Sequence, residues 1–320
     1  MTEEEQGMNP PDKDRVFDQH RDLLMAVAYR ILGQVVDAED VVQEAWIRWA
    51  NADTSEVADP RAFLVRVATR LSIDRMRRVN ARRESYVGPW LPEPLLTGGD
   101  VAEHAALSES ISMAMLVVLE TLSPLERAVF VLREAFAMPY AEIAEVLGRS
   151  ESAVRQLSRR AREHIREGRP RFDADQEERR QVTERFLDAA AGGDPDALMQ
   201  VLAPGVTLVA DSGGRARAPR RPLRGAEKVA RFLAAISAPE KLAQFLQSVS
   251  AGPLPDMDVR LAEVNGGPGI VATAGEIPVA TIVLDVADGL VQAIHMVVNP
   301  EKMSGVRTRA RRDPVRRPPG

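Results

Sequence analysis

Hydrophobic positions recur at helical spacing through residues 14–83 of this chain. Val41, Val42, Ala45 and Trp49 fall on one stripe of a helix that Asp37 is placed to cap, with Asp37, Asp40, Glu44 and Arg48 on the opposite side. Asp59-Pro60 marks a second helix start, Asp at the cap and Pro at the first helical position. Phe63, Val67 and Leu71 then repeat every fourth residue, and Arg66 and Arg70 lie on another side. The pattern stops over 84–110, where Gly88, Pro89, Pro92, Pro94, Gly98 and Gly99 predict a partly extended linker. Helical periodicity returns over 111–168. Ser123-Pro124-Leu125-Glu126 has the makings of a capping box, and Leu125, Val129, Leu132 and Phe136 form the buried stripe that follows. A short helix from Tyr140 to Leu147 is stopped by Gly148, and Ser150 caps the next, which runs to about Arg166.

The period then changes. Residues 177–203 predict two helices joined at Gly192-Gly193-Asp194-Pro195. Strand-like runs follow at 205–210, 257–264, 269–274, 278–286 and 290–298, with Asp288-Gly289 a hairpin signal between the last two. Helices are expected near 225–236 and 240–249. Helices followed by a mostly antiparallel, curved sheet predict an α+β domain. The fold class is therefore multi-domain: two all-α units, the second a helix-turn-helix, and an α+β unit. The boundaries are 14–83, a linker at 84–110, 111–168, and 177–303, with a basic, Pro-rich, disordered tail at 304–320.

Composition narrows the chemistry. The 320 residues suit about two or three domains, and with aromatics at 4% the cores must rest on Ala, Val and Leu. The absence of cysteine excludes disulfides, thiol nucleophiles and Cys-based metal sites, and it fits a reducing compartment. The start MTEEEQ is acidic and lacks an apolar core, so cytoplasmic residence is expected. There is no P-loop or Gly-x-Gly-x-x-Gly run, and His20, His104, His164 and His295 form no ligand pattern, so neither cofactor nor metal is expected. Net charge is −5, yet Arg61, Arg66, Arg70, Arg75, Arg77, Arg78, Arg82 and Arg83 cluster against Asp74 alone, and a second basic cluster runs from Arg149 to Arg171. Two basic helical faces on an acidic chain point to nucleic-acid contact that needs a partner's help; solvated helix faces account for the same pattern.

The strongest local feature is YAEIAEVLGRSESAVRQLSRRAREHI at 140–165: a short helix, a Gly-containing turn and a longer helix. Ile143, Ala144 and Leu147 face inward from the first helix, and Val154, Leu157, Ala161 and Ile165 from the second. The outward stripe carries Glu151, Arg155, Ser158, Arg159 and Arg162. A helix fits the major groove, Arg suits bidentate contact with guanine, and the Ser150 cap aims backbone N–H groups at a phosphate. A plain αα-hairpin with a charged outer face is the alternative.

DAEDVVQEAWIRW (37–49), RAFLVRVATRLSIDRMRR (61–78) and LSPLERAVFVLREAFAMPYAEIAEVLGRSESAVRQLSRRAR (122–162) together resemble extracytoplasmic-function sigma factors over residues 14–168. The remainder is similar to the subgroup with a C-terminal SnoaL-like domain, the sigma-J type, which has WLPEP in the linker and DGGGK- and NPDKL-type motifs beyond. Here WLPEP is intact at 90–94, and DSGGR (211–215) and NPEKM (299–303) are conservative departures. The resemblance implies a chain that brings core RNA polymerase to promoter DNA and performs no nucleotide chemistry. It implies that Asp37, Glu39, Asp40, Gln43 and Glu44 dock on the clamp helices of the largest polymerase subunit, and that the flap of the second-largest subunit is a further contact. A solvated acidic face fits the first set equally on residues alone. Asn51 with Asp53, Thr54 and Ser55 would line a pocket for a flipped −10 base, and Arg66, Arg70, Arg77 and Arg78 would hold the strand; stacking and basic contacts give about 1–3 kcal/mol per captured base. For the −35 element the candidates are Ser152, Arg155, Gln156 and Arg159 in the groove, with Ser150, Arg160 and Arg162 on phosphates.

A proline-stiffened segment loses little entropy on docking. Trp90, Leu91, Pro92, Glu93 and Pro94 are therefore expected to pack on the C-terminal domain near Asp211, Gly213, Gly214, Arg215, Asn299, Pro300 and Lys302. A local turn that folds Trp90 onto its own domain is the competing expectation. SnoaL-like relatives include enzymes with an acid or base inside an apolar cone. Asp211, Asp285 and His295 are the candidates here, but they form no evident constellation, and strand alternation puts Asp285 on the less apolar, exposed face. Three readings remain: a sigma factor regulated in cis by its C-terminal domain, a sigma factor fused to a working cyclase or isomerase, and a polymerase-independent DNA-binding regulator.

Overall fold

The computed structural model describes residues 10–83, 86–97, 111–168, 174–215, 218–237 and 257–306. Three helices, α1 (Pro10–Leu32), α2 (Val35–Ala50) and α3 (Pro60–Arg83), pack mutually as an N-terminal module. The start of α3 follows the sequence: the Asp59 carboxylate accepts from Ala62 N at 3.1 Å, with Pro60 at the first helical position. The start of α2 does not. It begins at Val35, its N-cap Gln34 makes no side-chain cap, and Asp37 lies within the first turn.

The second module holds α4 (Met113–Leu119), α5 (Pro124–Phe130), α6 (Tyr140–Leu147) and α7 (Glu151–Gly168), with π-helical backbone over Val131–Ala135. Ser123 and Glu126 complete the capping box at α5. Gly148 ends α6 at φ 61, a left-handed conformation that favours glycine, and so sets the helix-turn-helix bend. The two helical modules share one continuous core that runs from Phe17 through Trp49, Leu64 and Met76 to Leu132, Ile143 and Ile165.

The C-terminal module begins with α8 (Gln176–Ala191) and α9 (Pro195–Val201), followed by β1 (Leu202–Asp211), β2 (Leu223–Arg224), α10 (Ala226–Ser237), β3 (Met257–Val264), β4 (Gly267–Ala274), β5 (Ile277–Ala287) and β6 (Leu290–Val297). The six strands lie in the order β2-β1-β6-β5-β4-β3, antiparallel except for β1 on β6. Strand β2 is an addition to the expected set, and the helix expected at 240–249 lies outside the described residues. One face of the sheet, with Leu208, Ile270, Leu284, Ile294 and Met296, packs on α8, α9 and α10. The other face, with Val264, Val271, Val283 and Val297, is covered by Leu91 and Leu96 of the linker and Met113 of α4.

The structure corrects two sequence expectations, the exposure of Asp285 and the start of the tail. Asp285 is 7% exposed, because the linker and α4 cover the sheet face that alternation alone leaves to solvent. The linker is an internal element: Leu91 to Leu96 are all buried, and Leu96 bridges Val264 at the sheet edge. The tail does not start at Ser304. Ser304–Val306 forms a 3-10 turn with Gly305 and Val306 buried, so the folded module extends at least to Val306.

Candidate nucleic-acid interface and interdomain junction

Trp90 to Pro94 meets both neighbouring modules. The Lys302 ammonium sits 3.1 Å from the centre of the Trp90 ring and 5.3 Å from that of Tyr86. It donates to Asp211 Oδ2 at 2.6 Å and to the Leu91 carbonyl at 2.5 Å. Lys302 and Asp211 are both almost fully buried. The same carboxylate accepts from Leu91 N at 2.8 Å, Gly213 N at 3.2 Å and the Tyr86 hydroxyl, which in turn accepts from Asn299 Nδ2 at 2.9 Å. A buried ion pair holds only when its remaining hydrogen-bonding groups are met, and these donors meet them. Burial, with Asp211 as acceptor, pushes the Tyr86 hydroxyl pKa well above its ordinary value.

DSGGR is part of this clasp. Gly213 and Gly214 have φ of 60 and 75, and a Cβ on either would come within 2.8 Å of Asn299 Nδ2 or 2.9 Å of Val87. Only glycine allows both the left-handed backbone and the close approach. Arg215 reaches out to Glu301, and Pro300 opens the 3-10 turn that delivers Lys302.

Glu93 forms the second clasp. Its Oε2 accepts from Val35 N at 2.8 Å, which supplies the cap that α2 lacks locally. Its Oε1 accepts from the Ser304 hydroxyl and from Gly305 N at 3.0 Å. The Glu93 backbone donates to Gly33 O at 2.8 Å and accepts from the Tyr29 hydroxyl at 2.8 Å. Asn265 Nδ2 donates to that hydroxyl at 2.8 Å, so one node joins α1, α2, the linker and the β3–β4 turn. Burial is the main influence on Glu93 and raises its pKa against those donors. Burial likewise raises the Tyr29 hydroxyl. Beside this node Gly33 lies against Pro92 and the fully buried Arg127, which binds Glu120 at 2.8 Å and the Arg30 carbonyl at 3.0 Å.

On α2, Glu39, Asp40, Gln43 and Glu44 are exposed, together with Val36 and Ile47. Asp37 and Asp40 both bind Arg75 of α3, at 2.7 and 2.6 Å, and Glu44 binds Arg48 at 2.8 Å. Asp37 thus fixes α3 against α2. Asn51 ends α2 by donating to Ile47 O at 2.8 Å, while Asp53 caps its own 3-10 turn through Ser55. Arg66 lies over the Phe63 ring, Arg77 pairs with Asp74 at 3.0 Å, and Arg78 is exposed. Arg70 is engaged differently: its Nε donates to Val146 O at 2.8 Å and closes the C-terminal end of α6.

The chain is 41% identical to the extracytoplasmic-function RNA polymerase sigma factor SigJ of Mycobacterium tuberculosis over 300 residues, 92% of this chain and 95% of that protein. The chain belongs to the extracytoplasmic-function sigma factors. The sigma-70 region 2 model matches residues 16–83 and the sigma-70 region 4 model residues 112–165. The crystal structure of M. tuberculosis SigJ superposes with a TM-score of 0.71 at 38% identity, covering 90% of this chain and 97% of that one. A probable sigma factor SigI of M. tuberculosis is 38% identical over 58% of this chain and 66% of its own length. As a sigma factor of this family, the chain acts in transcription initiation with core RNA polymerase and promoter DNA. Among the described residues, no helix is long and apolar enough to cross a membrane.

The region 4 helix α7 presents Ser150, Ser152, Arg155, Gln156, Arg159, Arg160 and Arg162 to solvent. Its arginines are engaged within the chain: Arg155 with Glu151 at 2.5 Å, Arg159 with Glu163 at 2.9 Å, Arg160 with Glu126 at 3.3 Å and Arg162 with Glu134 at 2.7 Å. Ser158 is not on that stripe. It is buried, 3.1 Å from the Tyr140 hydroxyl, and packs the helix-turn-helix. Sequence reasoning missed Tyr29, Tyr86, Asn265, Ser304 and Gly305, whose partners lie up to 236 residues away. It also missed the pairing of Asp285 Oδ2 with His295 Nε2 at 2.9 Å; the Asp288-Gly289 hairpin signal, extended to register, puts both residues on one face.

Proposed function

We propose that the C-terminal module regulates this sigma factor in cis by clasping the linker, and that the clasped chain keeps its two promoter-reading modules together. The carrying observation is the double grip on the linker: Lys302 and Asp211 on Trp90–Leu91, and Ser304–Gly305 on Glu93. Arg70 supports the same reading, since a −10 candidate side chain closes helix α6 of region 4 and has to leave it to reach DNA. In the open form, Glu39, Asp40, Gln43 and Glu44, with Val36 and Ile47 beside them, dock on the clamp helices of the largest polymerase subunit, and region 4 takes the flap of the second-largest. Asn51, Arg66, Arg70, Arg77 and Arg78 meet the −10 strand. Ser150, Ser152, Arg155, Gln156, Arg159, Arg160 and Arg162 meet the −35 duplex, exchanging intramolecular carboxylates for phosphates and base edges. The C-terminal module acts as a regulator, not as an enzyme. Its Asp285–His295 pair lies on the sheet face turned to region 4, opposite the helix-covered face.

Run-off transcription with core polymerase tests this on the full chain, a chain ending at residue 172, one ending at Pro300, and the full chain with Arg70→Lys. The proposal expects polymerase-dependent, promoter-specific transcripts whose yield changes when the clasp is cut at Pro300. Equal yield from the full chain and the chain ending at Pro300 would overturn it.

A further inference from the structure

Strand β5 outruns β4. The last registered pair between them is Gly269 with Val283, whereas β5 continues on β6 as far as Ala287. The notch this leaves is roofed by α4 of region 4 and flanked by the start of α8, and it encloses a cavity of about 130 Å³. Its walls mix apolar and polar groups: Met113 and Val118 on the region 4 side, Val264, Val283 and Val286 on the sheet side, with Ser112 and Asn265 beside them. Asp285 is the one acidic residue in that lining, and Arg179 the one basic residue.

A carboxylate 7% exposed among valines and methionines needs compensation. Asp285 has a single hydrogen-bond partner among the described residues, His295, on one of its oxygens. His295 is itself 5% exposed, and its Nδ1 meets no hydrogen-bond partner among the described residues, so the pair joins no wider side-chain network there. Asp285 lines the notch, and its Oδ1 accepts from no described residue.

We infer that this notch is a binding site for a compact apolar amine, whose ammonium pairs with Asp285 while its hydrocarbon body lies between α4 and the sheet. An apolar cavity of roughly 150 Å³ takes up benzene, so the volume here suits a molecule of about five to eight non-hydrogen atoms. Arg179 at the flank disfavours a second cation on the ligand. The site is on the outer face of the sheet, not in the helix-covered interior of the C-terminal module, and its two walls come from different modules. It does not rest on the cis-regulatory reading: binding is measured without polymerase or promoter.

The experiment uses the full chain with ¹³C-methyl methionine and follows the Met113 and Met115 methyl resonances during titration with isobutylamine or, as the anionic control of like shape, isovalerate. Isobutylamine is expected to give saturable shifts and isovalerate none. Asp285→Asn should weaken the amine at least tenfold. Ala114→Phe, at a half-exposed position of α4, fills the notch from the region 4 side with Asp285 intact and should abolish binding even if Asp285→Asn fails to fold. Absence of a saturable response to isobutylamine, an equal response to isovalerate, or unchanged binding by Ala114→Phe would each overturn the inference.

Discussion

Lys302→Met removes the cation from the clasp and keeps most of its volume. Breaking a buried ion pair by deleting one partner costs about 3–5 kcal/mol, because the other charge stays buried and uncompensated. Asp211 would still accept from Leu91 N, Gly213 N and the Tyr86 hydroxyl, which places the cost at the lower end, about 3 kcal/mol. At 1.36 kcal/mol per decade that is a roughly 160-fold shift toward the unclasped form. The Leu91 amide reads this shift directly, since its acceptor is Asp211 Oδ2 at 2.8 Å. Its hydrogen exchange should accelerate by about two orders of magnitude in Lys302→Met if local opening governs exchange. Asp211→Asn should do the same by stranding Lys302. The double variant carries no stranded charge, so it should cost no more than either single variant, with a coupling of at least about 1.5 kcal/mol. Additivity within about 0.5 kcal/mol, or exchange changed less than about threefold in the single variants, would refute the reasoning.

Gly305→Ala places a Cβ 2.6 Å from the Pro94 carbonyl oxygen and 3.0 Å from Val35; it should cost about 1–3 kcal/mol and speed exchange of the Leu96 amide, which donates to Gly305 O. Glu93→Gln should gain on the parent as pH rises. Burial lifts Glu93 above its ordinary value near 4.5, so the folded chain holds that proton more tightly than the unfolded chain, and stability from this group is lost as pH climbs through the raised pKa. Melting temperatures of parent and variant from pH 4.5 upward check this, and a pH-independent difference contradicts it. Arg155→Ala should cost about 1–3 kcal/mol in −35 duplex affinity if Arg155 meets a base edge, or lower the salt slope by about one if it meets a phosphate, as salt-dependent binding titrations would reveal.

Elements with local causes were legible in the sequence. Asp59-Pro60, the Ser123–Glu126 box, Gly148 and the Asp288-Gly289 hairpin each act within a few residues, and each marks an element boundary in the fold. Where a long-range partner decides, the local reading went astray. Asp37 looks like a cap because its helix seems to need one; the cap comes from Glu93, 58 residues beyond the Val35 amide it accepts from. Asp285 looks exposed because alternation sees one sheet and not the linker and α4 laid across it. Ser158 sits on the polar stripe by period and is drawn inward by Tyr140. The WLPEP, DSGGR and NPEKM segments were identifiable through resemblance to a family. Their shared atom, the Asp211 carboxylate, becomes visible only in three dimensions.

Because Ser304 and Gly305 share the Glu93 carboxylate with the first amide of α2, residues past the end of the sheet act on the foot of a helix near the start of the chain. A cut after residue 303 and a cut after residue 306 therefore produce different molecules, although both nominally spare the sheet. An epitope or purification handle joined at residue 304 would tug on the foot of α2, so such fusions are probes of that helix and not neutral labels.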